Sequence, residues 1–229
     1  MIATIWAWLS DPTNWAGAGG IPAQSLEHLR LSLIALLAAA LVAVPIGLYV
    51  GHTGRGRVVL VNVVSAFRAI PSLGVLFIAA LLLLPHLRGN LAFELPSLIV
   101  LAVLGIPPIL SGVYAGIEQV DPAARDAARG MGMTGWQRLW QVEVPCALPL
   151  ICSGLRSSMM QIIATATIAA VVGLGGLGRF LIDGQANRKY DEMAGGAILV
   201  ALLALVVDIV FSLVQRAVVS PGLASRGRT

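Results

Sequence analysis

The chain has 229 residues, of which 58% are hydrophobic and only 11% charged, with a formal net charge of +4. An ordinary soluble domain carries about 25% charged residues, and a water-soluble fold of this size has no way to hide so much apolar surface. Composition therefore excludes a soluble globular domain, and the modest positive charge fits basic loops beside a membrane, with no call for a nucleic-acid partner.

The charges are unevenly placed. Residues 31–51, 95–117 and 157–178 contain no Asp, Glu, Lys or Arg, and each run is long enough to cross a hydrocarbon core, which needs about 20 helical residues. The pattern predicts an all-α, polytopic protein of about five transmembrane helices. Residues 1–28 are rich in Trp and turn formers (Trp6, Trp8, Trp15, Pro12, Gly17, Gly19, Gly20, Pro22) and read as an interfacial segment, since Trp favours the headgroup region. Nothing there reads as a removable signal peptide. The membrane domain is expected over 29–217. Its first helix runs over 29–50 and its second over 58–84, interrupted by Arg68 and kinked near Pro71, which removes a backbone donor. A third helix covers 95–117, a fourth 148–172 and a fifth 193–215, followed by a tail at 218–229. The glycine cluster Gly173–Gly178 and a polar loop to Glu192 separate the last two.

Counting Lys and Arg in the loops gives an orientation. Arg55 and Arg57, then Arg125, Arg129 and Arg138, then Arg216, Arg226 and Arg228 would share one side; Arg30, Arg88, Arg179, Arg188 and Lys189 would share the other. The richer side is the cytosol, which places the N-terminus outside and the C-terminus inside a plasma membrane.

Residues 118–147 form the one long polar stretch in the interior of the chain. Asp121-Pro122 is an N-cap followed by proline at the first helical position, and Ala123 to Arg129 are strong helix formers. Gly130 and Gly132 stop that helix, Thr134 begins a second with Trp136, Leu139 and Trp140, and Pro145 closes the segment before the membrane run. A helix–turn–helix of this size has no core of its own, so its apolar face must rest on something else.

Asp126-Ala127-Ala128, three residues, Gly132, nine residues, then Val142-x-Val144-Pro145 resembles the "EAA" loop in permease subunits of ABC importers. The family pattern is Glu-Ala-Ala, three residues, Gly, nine residues, Ile-x-Leu-Pro; Asp126 replaces Glu, and Val142 and Val144 replace Ile and Leu. The resemblance implies that Asp126, Ala127, Ala128, Arg129, Gly132 and Pro145 couple the chain to a separate cytosolic ATPase. That subunit would insert the loop into a cleft and drive alternating access. Ile70-Pro71-Ser72-Leu73 and Gly173-Leu-Gly-Gly-Leu-Gly178 are similar to permeases of osmoprotectant importers, which carry glycine betaine, choline, carnitine or proline. That likeness spans about 25–217. Methionine-type permeases share the layout, so an importer for methionine or another amino-acid-like solute is the alternative. The implied partners are two ATPase subunits, a second copy or sister permease, an extracellular substrate-binding protein and membrane lipid. ATP and Mg would be bound by the ATPase, and no cofactor by this chain.

Other signals point away from chemistry in the chain itself. Gly173–Gly178 fits Gly-x-Gly-x-x-Gly, but it follows a membrane helix instead of a strand, which argues for a tight turn or close helix approach. No phosphate-binding loop exists, and Lys189 is the only lysine. Cys146 and Cys152 fit neither a disulfide framework nor a metal site, and His28, His52 and His86 read as polar residues at helix ends. No constellation for a membrane enzyme stands out, and a passive channel would not need the docking loop. Arg68, Arg156 and Asp208 lie within predicted helices, where charge is costly and points to function. Asp208 is expected either to pair with one of the two arginines at an inward gate or, equally, each to snorkel alone. Pro71, Ser72, Gln161, Thr165 and Thr167 are candidates for the pathway, with helix packing as the alternative for the last three.

Overall fold

A computed structural model of the chain describes residues 2–68, 71–173 and 175–219, the side chain of Arg68 excepted. Among the described residues all regular structure is helical. In order the elements are α1 (Ile2–Ser10), a 3₁₀ turn (Pro12–Trp15), α2 (Ile21–Thr53), α3 (Arg57–Arg68), α4 (Ser72–Leu83), α5 (Leu91–Glu118), α6 (Pro122–Gly130) and α7 (Gly135–Arg138). A π turn (Leu139–Glu143) leads into α8 (Val144–Ala169), followed by a 3₁₀ turn (Ala170–Val172), α9 (Gly178–Ala186) and α10 (Tyr190–Val218). Among the described residues four stretches are long and apolar enough to cross a membrane: α2, α5, the continuous run Gly135–Val172, and α10. The pair α3 and α4 supplies a fifth if it forms one broken span.

Three boundaries differ from the expectation. The first long helix begins at Ile21 instead of 29, so the N-terminal segment ends sooner. The single kinked helix over 58–84 is two helices. Pro71 stands as the extended N-cap of α4 (φ −70°, ψ 110°), because proline cannot donate and disfavours helix at the residue before it. The loop after the glycine cluster contains a helix, α9, that its Gly, Asp and Asn content concealed.

The chain divides into two compact units. One comprises 1–38, 70–105 and 159–208. Its interior is Leu31, Leu101, Met159, Ile162, Ile163 and Leu177, with Leu76, Val100 and Leu104 in a second cluster. His28, 1% exposed, places Nε2 3.0 Å from the Ile163 carbonyl and so ties α2 to α8. Arg30 makes a two-point bridge to Glu27 at 2.9 Å and reaches Glu94 on α5 at 2.6 Å. Of the glycine cluster, Gly178 lies close against Thr167 of α8. Gly176 takes φ +92° and packs on His28, and its N–H donates to Gln24 Oε1 at 2.6 Å. Trp8 of α1 packs edge-on to Phe180 of α9 (5.3 Å, 74°) and covers Gly195 of α10. Beyond α1, Asp11 caps the 3₁₀ turn, and the donors of Thr13 hold its carboxyl below the usual carboxylate range.

The other unit comprises 39–69, 106–158 and 209–229. Its interior is Ala43, Ile109, Val113, Ile117 and Ala147. Here α5 and α8 approach backbone to backbone: a Cβ at Gly112 would lie 2.7 Å from Gly154 Cα and from the Leu150 carbonyl. Small residues at such a crossing permit van der Waals packing where lipid offers no hydrophobic drive. Gly112→Val should therefore lower the thermal stability of the purified protein in detergent, by about 1–3 kcal/mol for an overpacked core. Gly130→Ala, at a position with open space around it, is the control and should leave that transition unmoved.

Candidate functional site

The 118–147 segment is built from strong local signals. Asp121 caps α6 by accepting from the Ala123 N–H at 2.9 Å, with Pro122 in the first turn. The other end of α6 is a Schellman turn: Met133 N–H donates to Ala128 O at 3.1 Å and Gly132 N–H to Arg129 O at 2.9 Å. Gly132 supplies the left-handed residue that this turn requires, at φ +78°. Thr134 then caps α7 in a reciprocal capping box with Gln137.

The expectation that Pro145 ends the segment is corrected. From Gly135 the chain is helical without a break to Val172. A proline inside an α-helix clashes with the carbonyl four residues back, here that of Gln141. The π turn at Leu139–Glu143 widens the helix at that point and lets Pro145 stay inside it. The same turn buries Leu139 and Glu143 together.

Glu143, 1% exposed, is the centre of the segment. Its Oε2 accepts from His52 Nδ1 on the last turn of α2 at 2.6 Å. Its Oε1 accepts from Arg138 Nε of α7 at 3.3 Å, and Arg125 Nε of α6 lies at the same distance as an ion pair without hydrogen-bond alignment. Arg125 also donates through Nη2 to the Ile117 carbonyl near the C-terminus of α5, where a cation offsets the helix dipole. Arg57 at the start of α3 bridges Glu118 at 2.7 Å. One carboxylate thus gathers α2, α6 and α7, and Arg125 adds α5.

The residues expected to couple divide by face. Asp126, Ala127, Arg129 and Gly132 are exposed, Pro145 is half-buried, and Ala128 is buried at 1%. Asp126 and Arg129 pair at 3.3 Å on the outer surface. Trp136 and Trp140 stack edge to face (5.5 Å, 67°) and remain exposed. Beside them an apolar cavity of about 370 Å³ is walled by Pro45, Leu48, Tyr49, His52 and Leu139.

The expected pathway residues are placed as follows. Ser72 and Thr165 meet, with Ser97, at a cavity of about 10 Å³, room for about one water. Gln161 donates to the Leu104 carbonyl at 3.2 Å. That carbonyl lies four residues before Pro108 and lacks its usual helical donor, so Gln161 satisfies a backbone group orphaned inside the membrane domain. Thr165 and Thr167 hydroxyls bond to carbonyls of their own helix, Gln161 O and Ala164 O. Pro71 sits at the α4 cap. Arg156 on α8 and Asp208 on α10 are half-buried and each engaged in an interaction. The Arg68 side chain lies outside the described residues, as do Ile70 and residues 220–229 with Arg226 and Arg228.

Sequence reasoning missed Glu143 and His52. Glu143 fell on the unspecified position of the loop pattern, and His52 was read as a boundary residue. The available signal was a lone carboxylate at the threshold of an apolar run, with arginines on both short helices before it. Among the described residues no group of His, Cys, Asp and Glu could hold a metal, and the thiols of Cys146 and Cys152 are both free. Because no atom crowds Gly132, substitution there acts through backbone strain alone. Gly132→Val should loosen the α6 cap by about 1–2 kcal/mol, the cost of a left-handed residue, while Gly132→Asn should retain it; hydrogen exchange at the Gly132 and Met133 amides measures the difference.

Residues 43–220 match the family described as binding-protein-dependent transport system inner membrane component. The glycine betaine/carnitine/choline transport system permease OpuCB of Bacillus subtilis is 34% identical over 197 residues, covering 86% of this chain and 88% of that one. The carnitine transport permease OpuCB of Listeria monocytogenes is 37% identical over 185 residues, with 81% and 82% covered. In fold the chain is similar to a chain of the inward-facing MetNI methionine ABC transporter, with a TM-score of 0.73, 22% identity, and 92% of this chain and 100% of that one covered. The apolar helices, the fold and these matches together establish that the chain belongs to the binding-protein-dependent transport system inner membrane component family, as a multi-pass membrane protein.

Proposed function

We propose that the chain is the permease subunit of an ATP-driven importer for small zwitterionic or quaternary-ammonium osmoprotectants, glycine betaine, carnitine and choline among them. The substrate class follows from the named relatives, which are glycine betaine, carnitine and choline permeases covered over more than four fifths of their length. The observation that carries the mechanism is the split of α6. Its outer surface presents Asp126, Ala127 and Arg129, and its inner side is fixed through Ala128 and Arg125 to a buried carboxylate. A short helix with an exposed charged face and a fixed inner face suits docking of a separate subunit, here the ATPase that hydrolyses ATP with Mg. In this reading the 118–147 segment and the C-terminus are cytosolic and the N-terminus lies outside. An external binding protein delivers the solute, and a second permease copy or sister chain completes the pore.

Within the same reading Arg68, Pro71, Ser72, Arg156, Gln161, Thr165 and Asp208 are the pathway or gate residues. Asp126, Ala127, Ala128, Arg129, Gly132 and Pro145 are those that couple. Reconstitution with its ATPase and binding protein in proteoliposomes tests the proposal. ATP-dependent uptake of labelled glycine betaine, choline or carnitine is the expected result; uptake of methionine alone, or no ATP dependence, overturns it. Asp126→Arg reverses the charge of the docking face and should weaken retention of the ATPase about tenfold or more. Asp208→Asn should slow uptake while leaving that retention unchanged.

A further inference from the structure

We propose that Glu143 is a positioning residue that clamps the α6–α7 element to the end of α2, so that load on the docking face reaches α2 and α8 together. The proposal rests on the docking reading above and adds to it the part that carries the force.

Three observations support it. Glu143 is 1% exposed, and groups from three elements converge on it: His52 at 2.6 Å and Arg138 at 3.3 Å as hydrogen-bond donors, and Arg125 at 3.3 Å as an ion pair. Its partners are themselves largely covered, with side-chain exposures of 24% for Arg125, 13% for Arg138 and 17% for His52. The carboxylate also sits in the π turn that joins α7 to α8. That junction already links the docking element covalently to α8. To α2 the element is joined by non-covalent contact, to which His52 with Glu143 contributes a polar bridge. His52 also faces α7 directly, since a Cβ on Gly135 would lie 3.4 Å from His52 Nε2.

The chemistry demands a carboxylate at this point. Two arginines held side by side repel unless an anion lies between them, and glutamine of the same shape offers one acceptor oxygen and an amide that itself donates. Glu143→Gln therefore leaves the exposed docking face intact and unlocks what lies behind it. A residue important only for stability would lower ATPase binding, hydrolysis and transport together. A clamp has a different signature: the ATPase still binds and hydrolyses, but the work fails to arrive.

The test uses the full complex of permease, ATPase and binding protein in proteoliposomes, with co-elution, ATP hydrolysis and solute uptake measured on each preparation. Glu143→Gln should keep co-elution and most hydrolysis while uptake per ATP falls about tenfold. His52→Ala, which leaves Glu143 both arginines, should lower the same ratio about fivefold. The double variant should be no worse than Glu143→Gln alone, because the two residues act as one unit. A wild-type uptake-to-hydrolysis ratio in His52→Ala overturns the proposal whatever Glu143→Gln does, and so does a Glu143→Gln complex that loses hydrolysis and uptake in equal proportion. A wild-type chain that never retains the ATPase overturns the docking reading and this proposal with it.

Discussion

Burying a carboxylate strips away its water, and only hydrogen-bond donors and opposite charge close by can offset that loss. Glu143 meets this requirement with Arg125, Arg138 and His52, and the demand organises everything around it. Arg125 has to point inward from α6, while Asp126, Ala127 and Arg129 of that short helix remain exposed. Arg138 has to reach back from α7, and the wide π turn brings Glu143 to the same buried side as Leu139. Removing one partner from such a site typically costs about 3–5 kcal/mol, because the remaining charges stay buried and uncompensated. An element too short to own a core is thus held in one orientation by charge.

A second constraint comes from the lipid. Inside the hydrocarbon layer each backbone group needs a partner from the protein itself, yet this chain keeps prolines within three of its long helices. Two of them are handled in a local way. Pro145 is absorbed by the π turn. Pro108 orphans Leu104 O, and Gln161 supplies the missing donor from α8. Pro149 also sits inside α8, and its own carbonyl accepts from Gln215 of α10 at 3.2 Å, a polar link between the two helices. Side-chain amides thus cross-link α8 to α5 and α10, and Gln161 in addition fills a backbone vacancy, so it has a structural task as well as its proposed place on the pathway. Of these spans α10 is the least covered: its most apolar stretch is 6% buried, against 44% for α2 and 50% for α5.

Much of this was legible in the residues. Uncharged runs gave the membrane helices, and Asp121-Pro122, Gly132 and Thr134 gave the caps of the docking element, because capping and left-handed turns are decided by residues a few positions apart. What stayed hidden depends on distance in sequence. The Glu143 site joins His52 to a residue 91 positions away, and no local pattern reports such a pair. The continuity of α7 into α8 was hidden for a different reason. A proline ordinarily ends a helix, and the π turn that rescues this one has no sequence signature strong enough to outweigh that rule. The helix α9 was concealed by turn-forming residues, since its place is fixed by Phe180 against Trp8 and by Leu177 in the interior.

The continuity past Pro145 bears directly on how the proposed coupling would operate. Had proline ended the segment, α7 would hang from α8 by a flexible link, and a push on Trp136 or Asp126 would be lost in bending it. An unbroken helix behaves otherwise, because its backbone hydrogen bonds resist compression along the axis and displacement at one end appears at the other. The π turn is the irregular point of that rod, where the α-helical bonding pattern is interrupted. Glu143 lies in that turn, with two arginines and a histidine drawn onto it. These polar contacts thus gather where the helix departs from regular α geometry.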